Sequence, residues 1–201
     1  LGDWSVDAAW MDKGRTEFAG WNALLDDCQK PTNVEVPSYA QVVGAVNRGA
    51  RDSDLVLTAA GGLPGEVTKG WKIKAPGTFD CEFGFSCMGY EIAGGWGAAM
   101  ADPGRDVFVM SGDGSYLMMN SDIYSSVLSG HKMIVVICDN GGFGVINRLQ
   151  TGMGVPGFNN LLTDCRVVDK DNPRHVDFAK HAEAMGAHAR HCESLTDLKA
   201  A

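Results

Sequence analysis

Apolar residues first recur at Met11, Phe18, Trp21 and Leu25, spacings that put them on one face of a helix over residues 5–27. The segment that follows, QKPTNVEVP (29–37), holds two prolines and no helical period. It reads as a linker, with a boundary near residue 36. Tyr39, Val42, Val43 and Val46 then share a face, which predicts a helix over 38–48. Short unbroken apolar runs at 54–60, 106–110 and 133–138 predict strands, and 88–101 and 116–128 read as the helices between them. GGLPGE at 61–66 reads as a loop, and 139–176 as mostly irregular. Residues 176–185, 187–191 and 194 onward read as helix, strand and helix. Short apolar strands alternating with helices are the pattern of a doubly wound α/β fold, a parallel sheet with helices on both faces. The expectation is such a domain over 37–201, preceded by a helical arm and linker at 1–36.

Composition narrows the function classes. A chain of 201 residues, 45% hydrophobic and 21% charged, has ordinary globular usage and room for one main core. Seventeen Lys and Arg stand against twenty-five Asp and Glu, for a net charge of −8, with no basic run to follow a phosphate backbone. Nucleic acid is therefore not expected as a partner. The longest apolar runs fall far short of the roughly 20 residues of a membrane span, so no membrane association is expected. Six scattered cysteines (28, 81, 87, 138, 165, 192) without a CxxC pair fit reduced thiols in a cytoplasmic protein. His175, His181, His188, His191 and Cys192 lack paired-ligand spacing, so they do not read as a metal site. Trp4, Trp10 and Trp21 fall in the arm, where exposed aromatics suggest docking onto another domain or subunit.

In doubly wound sheets ligands bind beyond the carboxyl ends of strands, and three segments there are glycine-rich: GGLPGE (61–66), SGDGS (111–115) and DNGGFG (139–144). In the second, Ser115 is placed to cap a helix starting at Tyr116, whose free N–H groups would favour an anion such as phosphate near Gly114 and Ser115. Asp113 in the same loop would repel that phosphate. A divalent cation between them resolves the conflict, and Mg2+ suits carboxylate, amide and phosphate oxygens. Asn140 follows Asp113 by 27 residues, the length of one crossover, so the two would lie side by side at adjacent strand ends. Gly141 and Gly142 would let a backbone carbonyl turn inward. Taken singly, Asp-Gly and Asn-Gly are also ordinary turn dipeptides.

GDGS followed 27 positions later by Asn140, each after an apolar strand, resembles the cofactor motif of thiamine-diphosphate-dependent enzymes. CEFGFSCMGYEIAGGWGAAMA (81–101) is similar to the glycine- and alanine-rich segment before GDG in the branch with acetohydroxyacid synthase, and DFAKHAEAMGA (177–187) resembles that domain's closing helix. The likeness covers roughly 37–201. PSYAQVVGAVN, AAGGLPGE, GDGSYLMMNSD and DNGGFGVINRLQ are most similar to members that hydrolyse a cyclic 1,2-dione in inositol breakdown.

The resemblance implies thiamine diphosphate and Mg2+ as cofactors. Asp113, Asn140 and the Gly142 carbonyl would bind the metal, and Gly114 and Ser115 the diphosphate. Gly62, Leu63, Gly112 and Phe143 would complete the cofactor region, and Met88 would be the apolar wedge beneath the bent cofactor. Asp139 and Gly141 depart from the Asn-Asn and polar residue of many relatives. The family's activating glutamate sits on a separate pyrimidine-binding domain. None of Glu17, Glu35, Glu66, Glu82, Glu91, Glu183 and Glu193 matches it, so no catalytic residue is assigned. The implied picture is the C-terminal part of a longer enzyme, inactive alone, with a small-molecule substrate, a pyrimidine-binding partner domain and homo-oligomeric assembly. Two alternatives stay open: a 2-oxo acid decarboxylase or acetolactate-synthase-like carboligase, and a non-catalytic diphosphate-binding module.

Overall fold

A computed structural model describes residues 5–32, 35–166, 171 and 174–201. Its centre is a four-stranded parallel sheet of β1 (Leu55–Thr58), β2 (Phe79–Cys81), β3 (Val107–Gly112) and β4 (Ile134–Cys138), ordered β2-β1-β3-β4. The chain steps from β1 outward to β2, then returns to the other side of β1 for β3. That reversal makes a switch point between β1 and β3, where a crevice opens beyond the carboxyl ends of the strands.

Alternation along the strands gives each face its own core. Val56 and Met110 face α2 (Tyr39–Gly49) and α3 (Gly62–Gly70), packing with Val43, Val46, Leu63, Val67 and Trp71. Leu55, Val107 and Val109 face the opposite side, against Ile92 of α4 (Tyr90–Ala101), Tyr116 of α5 (Asp113–Met118) and Ile123 of α6 (Ser121–Ser129). Phe178 of α8 (Phe178–Ala184) packs on this second cluster, and Leu198 of α9 (Leu195–Ala200) on the first. Helices on both faces of a parallel sheet are the doubly wound class that the sequence predicts. Met110 is fully buried in the first cluster, so Met110→Ala is expected to cost about 2–5 kcal/mol in urea unfolding. A loss below about 1 kcal/mol would contradict this packing.

Several elements differ from the sequence expectation. GGLPGE is not a loop: α3 starts at Gly62 and takes Pro64 into its first turn, where a missing N–H costs no helical bond. The helix expected over 116–128 is two, because the chain breaks at Met119 and Asn120 between α5 and α6. Strand β2 and helix α7 (Gly144–Gly152) lie where the sequence pattern predicts no element. Residues 187–191 join no ladder; Ala187 packs on the second cluster instead, and alanines hold a strand poorly. The arm is helical as α1 (Ala8–Cys28), with no buried residue and with Trp10 and Phe18 about two-thirds exposed. Trp21 is exposed as well, while Trp4 lies outside the described residues.

Candidate functional site

The strand ends surround an open cleft of about 370 Å3. Gly62, Leu63, Met88, Gly112, Asp113, Gly114, Ser115, Asn140, Gly142 and Phe143 all line it. Adjacent pairing of β3 and β4, with Gly112 opposite Cys138, is what brings the GDGS and DNGGFG segments together.

Asp113 heads α5 and is 5% exposed. Its Oδ2 accepts the Gly142 N–H at 2.7 Å, while Oδ1 is buried with no hydrogen-bond partner. Burial raises the carboxyl above its ordinary range, opposed by the Gly142 N–H bond, and the nearby Asp139 charge adds to the rise. A buried carboxylate oxygen without a partner is costly, and a bound cation is one way to satisfy it. Asn140 is fixed by Tyr39, whose hydroxyl oxygen accepts from the Asn140 amide nitrogen at 2.6 Å. That bond turns the amide nitrogen toward the phenol and leaves Oδ1 as the free acceptor.

Gly142 carries the loop close to a neighbouring strand-like segment. Its φ is +133°, it bridges to Leu161, and a Cβ there would lie 2.5 Å from the Asn160 carbonyl oxygen. At Gly114 a Cβ would lie 2.6 Å from the Phe143 ring, so the aromatic closes directly over bare backbone. Ser115 does not cap a helix from Tyr116. It lies inside α5, which starts at Asp113, and its hydroxyl turns to Glu91 at 3.0 Å.

Tyr39 and Glu91 are the site residues that sequence reasoning missed. Tyr39 reads there as one more apolar position of a core face, yet it stands at the start of α2, beside the cleft, with its ring against Gly62. Glu91 reads in the sequence like the other glutamates, with no role assigned. Its burial has no charge pattern to announce it.

The Cys138 thiol is pushed up to about 12 by burial and by the Asp113 charge, which makes it inert at neutral pH. Among the described residues no group of three or more His, Cys, Asp or Glu is arranged to hold a metal. His181 instead meets the Tyr116 hydroxyl at 2.9 Å, and His175 meets Asp139 at 3.2 Å. No helix among the described residues is long and apolar enough to cross a membrane.

Fold and cleft together define an α/β domain with a glycine-lined cleft at the switch point of its sheet. The chain belongs to the thiamine pyrophosphate enzymes: residues 59–201 match the family model for their C-terminal TPP binding domain. It is 35% identical over 181 residues to a 3D-(3,5/4)-trihydroxycyclohexane-1,2-dione hydrolase of Clostridium botulinum, covering 87% of this chain and 28% of that protein. A Bacillus thuringiensis protein of the same name is 37% identical over 166 residues, 80% of this chain and 25% of its own length. The chain thus spans about a quarter of these relatives.

Among solved structures it resembles the thiamine diphosphate-dependent 4-hydroxybenzoylformate decarboxylase of Rhodococcus jostii RHA1, at TM-score 0.74 and 18% identity, over 86% of this chain and 31% of that one. The benzoylformate decarboxylase of Polynucleobacter necessarius gives TM-score 0.71 and 20% identity, over 85% and 31%. At these identities the likeness is one of fold.

Proposed function

We propose that the cleft holds the diphosphate of thiamine diphosphate through Mg2+. The whole enzyme would hydrolyse the carbon–carbon bond between the carbonyls of a trihydroxycyclohexane-1,2-dione, giving a deoxyglucuronic acid. The buried, unpartnered Oδ1 of Asp113 carries this reading, because it stands beside Asn140 and Gly142 in the TPP binding domain of a thiamine pyrophosphate enzyme. The donor set fits the ion: a carboxylate, an amide and a backbone carbonyl are the hard oxygens that Mg2+ takes, with phosphate oxygens completing its shell.

Each residue then has a physical task. Asp113 and Asn140 supply the metal's protein oxygens, and Gly142 supplies its carbonyl. Gly114 and Ser115, at the start of α5 and on the cleft wall, contact the diphosphate. Met88 gives the apolar wedge, and Leu63 and Phe143 exclude water from the rest of the cleft. When bound, thiamine diphosphate supplies the electron sink for cleavage beside a carbonyl; the protein's share is binding, orientation and charge compensation.

Residues 1–36 serve as a connecting arm and 37–201 as the cofactor domain. The activating glutamate comes from a pyrimidine-binding domain of the same enzyme. Exposed Trp10, Phe18 and Trp21 on α1 support docking of the arm in a homo-oligomer, and the free cysteines suit a reducing cytoplasm.

The test is the assembled enzyme with its pyrimidine domain. Given the cyclic dione, it is expected to consume water and release one acid per ring opened, followed by pH-stat titration, with no CO2 formed. CO2 release from a 2-oxo acid would favour the decarboxylase instead. Failure of the assembly to exchange the thiazolium proton of thiamine diphosphate would leave only a binding module.

A further inference from the structure

Glu91 is a glutamate with 0% exposure in the first turn of α4, behind the cleft. Its Oε1 lies 3.0 Å from the Ser115 hydroxyl and 3.4 Å from that of Ser111. Oε2 accepts the Gly89 N–H at 2.8 Å and lies 3.1 Å from Ser115 Oγ. The same Gly89 N–H reaches Ser115 Oγ at 3.0 Å, so carboxyl, hydroxyl and amide form a closed triangle.

Among the described residues no cation offsets this carboxyl. Strands β1 and β3 bring no ionisable side chain to it. Helix α6, which packs on α4, carries Asp122 and Tyr124 and no cation; α5, which holds Ser115 against the carboxyl, carries Asp113 and Tyr116; and Tyr90 shares the helix of Glu91. All of these are anionic or neutral, and burial holds the Glu91 carboxyl above its ordinary range. Burial first, and the charges of Asp80, Glu82 and Glu91 after it, push the neighbouring Cys81 thiol up.

A serine hydroxyl has one proton to give. With Glu91 ionised, that proton belongs to the carboxylate, and a diphosphate oxygen in the cleft would meet only serine lone pairs. With Glu91 neutral, the acid O–H donates to Ser115 Oγ and the serine proton is released toward the cleft. An arriving diphosphate also makes a second negative charge at Glu91 more costly. We propose that Glu91 is a positioning residue whose neutral form turns Ser115 into a donor to the cofactor's diphosphate, so that cofactor binding takes up a proton. This rests on the thiamine diphosphate reading above.

The test is calorimetric titration of the chain, E91Q and S115A with thiamine diphosphate and Mg2+ between pH 6 and 9. Buffers of different ionisation enthalpy give the proton count, and the cofactor's own ionisation cancels in the differences between proteins. Wild type is expected to take up as much as about one proton more than E91Q, its affinity falling up to about tenfold per pH unit relative to that variant. E91Q, whose amide donates as the neutral acid does, is expected to bind within a few-fold of wild type at the acid end. S115A keeps Glu91 but loses the excess uptake, and it carries the test if E91Q fails to fold. Equal uptake in wild type and in the folded variants would overturn the proposal and leave the cofactor reading intact. So would an affinity loss in folded E91Q that is the same at every pH. Absence of binding by wild type at every pH would overturn both.

Discussion

Asp113→Ala is expected to weaken Mg2+-dependent binding of thiamine diphosphate by at least about a hundredfold. Removal of residues that merely support a ligand costs about 10–100-fold, and Asp113 supplies the only carboxylate among the proposed ligands. Calorimetric titration in saturating Mg2+ checks this, and a loss under tenfold would remove Asp113 from the metal site.

Stability should move the other way. Burial raises the folded-state pKa of Asp113 above its unfolded value, so the folded state binds that proton more tightly. The resulting cost is absent below the unfolded pKa and grows as pH rises through the folded one. Asp113→Asn, without cofactor, is therefore expected to be at least as stable as wild type at pH 8, the difference shrinking toward pH 4 in urea unfolding. Protons compete with the cation for the same carboxylate, so Mg2+ affinity is expected to fall as pH drops through the raised pKa.

Gly142→Ala is expected to destabilise the domain by about 2–6 kcal/mol, combining backbone strain of about 1–3 with a steric cost of similar size. The new methyl would sit 2.5 Å from the Asn160 carbonyl oxygen and 3.1 Å from Leu161 Cα, both backbone atoms with little room to yield. Relief requires the Gly142–Leu161 bridge to open, which also moves the Gly142 N–H off Asp113. Cofactor binding should fall with it. Gly141→Ala is the control: φ is +76°, yet the nearest atom to a Cβ is His175 Cε1 at 3.7 Å. Its cost should be nearer 1 kcal/mol, as for an ordinary left-handed position. Equal unfolding midpoints for the two variants would contradict the close approach at Gly142.

The sequence is most readable where local pattern and tertiary position coincide. The spacing of Asp113 and Asn140 is one crossover, and parallel pairing of β3 with β4 turns that spacing into adjacency. Misreadings arise where a local signal has a second outcome. Gly-Gly-Leu-Pro-Gly punctuates a loop in most contexts, but Pro64 sits in the one helical turn that needs no N–H from it. The apolar period over 116–128 runs through a backbone break at Met119 that periodicity cannot register. Strand β2 has only three residues, while α7 does place Val145, Ile146 and Leu149 on one helical face but follows a glycine-rich run that reads as loop. Ser115 reads as a cap because serine usually caps; its true partner, Glu91, is 24 residues away on another helix. Tyr39 lies 101 residues from Asn140, a pairing that only the closed fold creates.

The central claim is that Asp113, Asn140 and Gly142 make a cation-dependent diphosphate site selective for thiamine diphosphate. Its most direct test is calorimetric titration of this chain with thiamine diphosphate, with and without Mg2+, and with ATP as the competing diphosphate-containing ligand. Saturable binding that requires Mg2+ and prefers thiamine diphosphate is the predicted result. Binding indifferent to Mg2+, or equal binding of ATP, would contradict it.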